Sequence, residues 1–118
     1  LFAFEFWHGP AFLRHYDPVR VRRWARPSGE VLRISQTAIN YSLQLATVSY
    51  SVYDLGQDGT YHSFQESQTN RFFNVAEMST YLELSGFTPL KWFAGCARDE
   101  NISDQVWHVI AIARKTDD

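Results

Sequence analysis

Leu1-Phe2-Ala3-Phe4-Glu5-Phe6-Trp7 is a nearly continuous apolar run, and the interpretation of the whole chain depends on it. An apolar run of this length is typical of a β-strand that is covered on both faces, as in a parallel sheet. Gly9 and Pro10 end the run, because neither residue suits the interior of a strand. The run therefore predicts an interior strand whose neighbours lie outside the sequence, with His8 at its carboxyl end.

Downstream of this strand, alternating and β-branched residues predict an antiparallel meander of about four strands. Turn-forming residues separate the segments, first at Pro27-Ser28-Gly29 and later between Gly56 and Gly59. A change of hydrophobic phase near Leu45-Ala46 predicts a β-bulge within the third segment. Residues 11–18 are ambiguous between a loop and one helical turn. The predicted strands cover residues 19–25, 31–36, 41–53 and 61–73.

The last third of the chain predicts one helix followed by two strands. Asn74 is a good N-cap, and Glu77 follows three residues later, as in a capping box. Apolar residues then recur at helical spacing, and Gly86 suits the position just after the helix. The two closing strands are predicted at residues 87–93 and 106–113.

The composition excludes several classes of protein. The chain has 118 residues, a formal net charge of −2 and 45% hydrophobic residues, so it is neither disordered nor drawn to nucleic acid by charge. No apolar run is long enough to cross a bilayer. Cys96 is the only cysteine, which excludes an internal disulfide and a cysteine metal cluster, and it has no histidine nearby to make it a nucleophile. A reducing, cytoplasmic location fits this composition.

Several short motifs, in order along the chain, resemble one branch of the class I S-adenosylmethionine-dependent methyltransferases. The branch acts on small molecules and includes sugar N-methyltransferases. Each motif alone is common, but together they cover nearly the whole chain. The matching stretches are Phe6-Trp7-His8-Gly9-Pro10, Pro18-Val19-Arg20-Val21-Arg22-Arg23, Phe64-Gln65-Glu66, Asn70-Arg71-Phe72-Phe73, Leu82-Glu83-Leu84-Ser85-Gly86-Phe87 and Ser103-Asp104-Gln105-Val106-Trp107, closed by Ala113-Arg114-Lys115.

The resemblance implies an α/β fold, namely the C-terminal part of a Rossmann-like methyltransferase domain. Residues 1–10 would supply a sheet strand, residues 11–73 an antiparallel insertion on the substrate side, and residues 74–118 a helix and the final two strands. The family binds S-adenosylmethionine with a glycine-rich loop that this sequence lacks, so the chain alone is expected to be inactive. Gln68 departs from the family pattern, because the family has a histidine there.

The resemblance and the local chemistry together suggest a set of site residues. His8 would lie beyond the carboxyl end of its strand, where α/β sheets bind ligands, and an imidazole can take a proton from an amine or hydroxyl acceptor. Its alternative role is to cap the turn at Gly9. The candidates for contacting a small-molecule substrate, one candidate being a nucleotide-linked amino sugar, are Trp7, Glu66, Arg71 and Trp107.

Three of these substrate contacts also have a structural alternative. Trp7 and Trp107 are as well suited to a hydrophobic core, and Arg71 to an exposed salt bridge. Arg20, Arg22 and Arg33 form a positive stripe that suits either a diphosphate or solvent.

A different class of function stays open at this stage. A stand-alone ligand-binding module, with a curved sheet around an aromatic cavity, would also have long β-segments. Residues 1–7 favour the transferase, because a stand-alone module should begin with a more polar strand. No nucleic-acid or membrane partner is expected, but a sheet edge left without its neighbour favours self-association.

Overall fold

The structure is a computed structural model that describes residues 1–95 and 100–117. Within these residues the chain forms seven strands and two helices, in two compact units. One unit comprises residues 1–16 and 71–118, and the other comprises residues 17–70. The elements in chain order are β1 (Phe2–His8), α1 (Gly9–His15), β2 (Val19–Arg26), β3 (Gly29–Asn40), β4 (Leu45–Gly56), β5 (Tyr61–Phe73), α2 (Val75–Leu84), β6 (Phe87–Ala94) and β7 (His108–Lys115).

In the first unit, β1 lies between two other strands. It pairs with β7 in antiparallel fashion along Phe2–Trp7, and β7 in turn pairs with β6 in antiparallel fashion. The other edge of β1 pairs in parallel with the end of β5, at Trp7↔Phe72 and His8↔Phe73. The prediction of two closing strands is confirmed.

The core of this unit lies between helix α2 and one face of the sheet. Phe6 of β1 and Val109 of β7 meet Met78 and Leu82 of the helix there. Alternate residues of a strand point to opposite faces, so a single helix can cover only half of each strand. The expectation that β1 is buried on both faces is therefore wrong for the described chain: Ala3 and Glu5 are exposed.

Helix α2 begins and ends where its sequence predicts. The Asn74 side chain accepts a hydrogen bond from the Glu77 backbone N–H at 2.7 Å, which satisfies one of the free donors of the first turn. Gly86 has φ 88°, the left-handed conformation that favours glycine directly after a helix. Neither helix of the described chain is long and apolar enough to cross a membrane.

The second unit is an antiparallel sheet in the order β2-β3-β4-β5, which confirms the predicted meander. One detail of the prediction is wrong: residues 41–53 are not one bulged strand, because β3 ends at Asn40 and β4 starts at Leu45. The Asn40 side chain accepts a hydrogen bond from the Leu43 backbone N–H at 3.1 Å, and Gln44 has φ 55°. The change of hydrophobic phase marks this tight turn between two strands.

Candidate functional site

His8 lies at the carboxyl end of β1, where the chain turns into helix α1. Its side chain is buried, with 4% of the residue exposed. The His8 backbone N–H donates a hydrogen bond to the carbonyl oxygen of Trp107 at 2.8 Å. This bond ties the end of β1 to the segment that leads into β7.

The imidazole of His8 is oriented by a second bond to the same segment. Its Nδ1 atom lies 2.8 Å from the carbonyl oxygen of Val106. A carbonyl only accepts hydrogen bonds, so Nδ1 carries a proton and donates it. In the neutral ring this leaves the lone pair on Nε2, which is the nitrogen able to accept a proton. The geometry therefore holds His8 in the tautomer that a general base needs.

Gly9 and Pro10 allow helix α1 to start immediately after His8. Pro10 occupies the first turn, where its missing N–H and fixed φ cost nothing. A Cβ on Gly9 would lie 3.0 Å from Cδ2 of Phe72, so no larger residue fits there without displacing that ring. The interpretation of this dipeptide as a simple strand end was incomplete, because it also begins a seven-residue helix.

Around the start of α1, aromatic rings pack against Phe12, which is buried. Trp7 stacks on Phe12 with a centroid distance of 5.1 Å, and Trp107 meets Phe12 edge-on at 5.5 Å. Phe72 and Tyr16 also stack on it, at 6.1 and 6.3 Å. The structure thus brings Trp7 and Trp107 together next to His8. Sequence reasoning missed Phe12, which lies in the segment left ambiguous between a loop and one helical turn.

A depression of about 260 Å³ lies beside Trp107. Glu5 and His108 both line it, and the Glu5 Oε1 atom lies 3.1 Å from the His108 Nδ1 atom. Both side chains are about half exposed, so their attraction is weak in water. Its other lining residues are Ala94, Gly95, Glu100, Gln105, Val106 and Trp107.

The two remaining predicted contacts lie in different units. Arg71 is exposed and belongs to the unit of His8, one residue before Phe72, which pairs with Trp7. Glu66 belongs to the second unit, where it is exposed and lines an open groove with Gln36 and Ser67. Roles for Trp7, Glu66, Arg71 and Trp107 in substrate binding, and for His8 in catalysis, stay predictions.

The glycines of the described chain do not fit a complete S-adenosylmethionine site. Gly56 and Gly59 close the hairpin between β4 and β5, where the Gly59 backbone N–H donates to the Gly56 carbonyl oxygen. Gly9 follows a strand, but the space beside it is filled by Phe72. Nor do histidine, cysteine and carboxylate side chains gather into a possible metal site within residues 1–95 and 100–117. Cys96 lies outside the described residues.

No protein-family model matches the sequence, and no curated protein matches it significantly. Solved structures do match. The chain is similar to an S-adenosylmethionine-dependent methyltransferase from Clostridium acetobutylicum, with a TM-score of 0.73, 13% identity and 98% of this chain covered. It is also similar to the CcbJ methyltransferase from Streptomyces caelestis, with a TM-score of 0.70, 14% identity and 98% coverage. A third match is the sugar N-methyltransferase KedS8 from a Streptoalloteichus species, with a TM-score of 0.61, 12% identity and 96% coverage.

These matches confirm the resemblance at the level of the fold. The neighbours are methyltransferases that include a sugar N-methyltransferase, and the chain spans only 44%, 43% and 42% of their lengths. A mixed α/β arrangement dominated by strands, which resembles part of a methyltransferase, is therefore established. At 12–14% identity the likeness carries no further than the fold.

Proposed function

We propose that this chain is the C-terminal part of an S-adenosylmethionine-dependent methyltransferase that acts on a small molecule. The observation that carries the proposal is the environment of His8. A buried imidazole stands at the carboxyl end of an interior strand, with Nδ1 committed to the Val106 carbonyl oxygen. The His8 side chain makes no hydrogen bond that caps helix α1. Capping of the turn at Gly9 therefore does not explain why the imidazole is held in this orientation.

In this proposal His8 acts on the acceptor of the methyl group. A neutral amine or a hydroxyl attacks carbon with a lone pair and must lose one proton, before, during or after bond formation, to give a neutral product. His8 Nε2 takes that proton, and the Val106 carbonyl stabilises the resulting imidazolium through Nδ1–H. Trp7, Trp107 and Arg71, which belong to the unit of His8, would contact the substrate. Residues 11–73 would form the insertion on the substrate side.

The cofactor in this proposal is S-adenosylmethionine, which supplies the methyl group, and the parts of the protein outside this chain would bind it. The sugar substrate named for KedS8 supports an amino sugar as acceptor, with a nucleotide-linked amino sugar as one candidate. A cytoplasmic location is part of the same proposal. Isothermal titration calorimetry should show no binding of S-adenosylmethionine to the chain alone, and tight binding would overturn the proposed location of the cofactor site.

The role of His8 is tested in the full-length protein with His8→Asn. The asparagine amide keeps a donor for the Val106 carbonyl oxygen but has no basic nitrogen. We expect kcat to fall about 100-fold or more, the usual effect of removing a general base. The assay follows a labelled methyl group from S-adenosylmethionine onto a panel of amine and hydroxyl acceptors, nucleotide-linked amino sugars included.

His62→Asn is the matched control, because it removes an exposed imidazole that lies outside the unit of His8. It should change kcat less than twofold, and both variants should bind S-adenosylmethionine as the unmodified protein does. If His8→Asn folds and keeps most of its kcat, His8 is not the base.

We also propose that the chain alone self-associates through β1. Within the described residues, β5 pairs with β1 only at Trp7 and His8, and the same edge from Phe2 to Phe6 has no partner strand. Unpaired backbone N–H and C=O groups along an apolar strand are a template for another strand. Light scattering should show the average mass rising with concentration, whereas a monomer at every concentration would contradict this.

A further inference from the structure

Two arginines face each other in the sheet of the second unit. The antiparallel register of β2 and β3 pairs Arg22 with Arg33 directly. Directly opposite residues of an antiparallel pair have their side chains on the same face, with Cβ atoms about 4.5–5.5 Å apart. Two guanidinium groups therefore extend side by side from one face. Like charges in this position destabilise a sheet, so the pairing needs a compensating feature.

No carboxylate in the described residues compensates these two arginines. The neighbouring arginines of β2 all have partners: Arg20 lies 3.4 Å from Asp17, Arg23 lies 2.6 Å from Glu30, and Arg26 pairs with Asp54. Within residues 1–95 and 100–117, neither Arg22 nor Arg33 forms such an ion pair. The uncompensated positive charge of β2 and β3 is thus concentrated at this one pair.

Aromatic rings restrain one member of the pair. The Arg33 guanidinium carbon lies 6.0 Å from the ring centroid of Trp24 and 5.3 Å from that of Tyr50. The strand register explains these two contacts. Val31 and Ser35 flank Arg33 on the same face of β3. Trp24 pairs with Val31, and Tyr50 pairs with Ser35. A guanidinium that rests against rings keeps its in-plane N–H donors free. Arg33 is therefore restrained by two rings while its N–H donors stay available for a ligand.

We propose that Arg22 and Arg33 form a binding site for a phosphoryl oxyanion, with Trp24 and Tyr50 as its aromatic walls. The planar fork of N–H donors in each guanidinium matches the spacing of phosphate oxygens, and two forks side by side can hold one phosphate or two linked phosphates. A bound anion would also remove the repulsion between the two arginines. The inference rests on the residues of the second unit alone, so it stands whether or not the chain belongs to a transferase.

The site is tested by NMR titration of the chain with inorganic pyrophosphate, at an ionic strength held constant with sodium chloride. We expect saturable shifts of the Trp24 indole N–H and the Arg33 Nε–H, with the indole signal assigned through Trp24→Phe. Arg22→Gln and Arg33→Gln should each weaken binding about tenfold, the typical effect of losing a charge-assisted contact. Dispersed spectra would show that both variants are folded.

Arg23→Gln is the matched control. Arg23 is an exposed arginine of the same strand, but it points to the opposite face and already pairs with Glu30. It should change the affinity less than twofold. An equal loss in Arg22→Gln and Arg23→Gln, or a Trp24 indole that does not shift, would overturn the site.

A second ligand, phenyl phosphate, distinguishes two sources of the phosphoryl group. Tighter binding of phenyl phosphate than of inorganic phosphate, lost in Trp24→Ala, would assign the site to a phosphorylated ring compound. Equal binding of the two would assign it to the phosphate group alone. Failure of both to bind, together with failure of pyrophosphate, contradicts the inference. Activity of His8 variants has no bearing on these outcomes.

Discussion

The two units are stabilised in different ways. In the unit of residues 1–16 and 71–118, a helix covers one face of the sheet, and Val109, Ala111 and Ala113 are completely buried. In the unit of residues 17–70, only Ser35, Ala46 and Val48 are buried. The first unit therefore gains stability mainly from removing apolar surface from water. The second relies on backbone pairing and on contacts between side chains of neighbouring strands, which are individually small.

The largest difference between the units should appear when one phenylalanine is truncated in each. Phe6→Ala removes a ring that is 6% exposed in the core, and we expect a loss of about 3–5 kcal/mol. Phe64→Ala removes a ring that is 60% exposed in the other unit, and we expect a loss of about 0.5 kcal/mol. Urea unfolding measures both. Equal losses would show that the second unit also has a hydrophobic core.

A smaller loss of stability should follow from adding one carbon atom to the unit of residues 1–16 and 71–118. Gly9→Ala places a Cβ 3.0 Å from the Phe72 ring, and overpacking of this kind costs about 1–3 kcal/mol. Phe72→Leu offers a smaller side chain, so the cost of Gly9→Ala should shrink in that background. Thermal unfolding of the four proteins gives the coupling energy, and strictly additive losses would contradict the contact.

Loss of the N-cap of α2 should lower the free energy of unfolding by less than Gly9→Ala does. Asn74→Ala removes the oxygen that accepts a bond from the Glu77 backbone N–H, and we expect a loss of about 1 kcal/mol. Asn74→Asp keeps an oxygen acceptor and should retain the stability. A chemical denaturation midpoint that is unchanged in the alanine variant would mean that α2 is held by its packing alone.

The smallest expected effect is on the pKa of a carboxyl in an exposed turn of the unit of residues 17–70. The Thr60 side chain and backbone N–H donate to Asp58, and these bonds lower the pKa of its carboxyl from 3.8. Because the pKa of Asp58 is lower in the folded state, its carboxylate stabilises the fold above pH 3.8. This stabilisation is lost as the pH falls through the pKa of the folded state. Thr60→Val should raise the pKa of Asp58 in an NMR titration, whereas Thr69→Val should leave it unchanged.

Local rules predicted much of the element order. The bounds of β5, the N-cap at Asn74 and the glycine after α2 agree with the sequence, because each depends on a few adjacent residues. The turn at residues 41–44 was missed. Its sequence, Tyr-Ser-Leu-Gln, contains no glycine or proline, and the turn depends instead on the Asn40 side chain and a left-handed Gln44.

The candidate site was predicted less completely than the fold. The structure brings Trp7 and Trp107 together beside His8, and the roles predicted for these three residues stay predictions. The Val106 carbonyl, 98 residues along the chain from His8, has no signature in sequence, since every residue has a carbonyl. Phe12 was missed because a single aromatic residue in an ambiguous segment gives no periodicity.

The sequence by itself determined the order of most strands, the start and end of α2, which strand is the most apolar, and the family that the chain resembles, because these properties follow from neighbouring side chains. Only the tertiary structure decided which face of β1 is buried, which nitrogen of His8 keeps its lone pair, and which arginines stand opposite each other. These depend on register and packing between distant segments. A shift of one residue in a strand pairing exchanges its two faces, and composition alone cannot determine that shift.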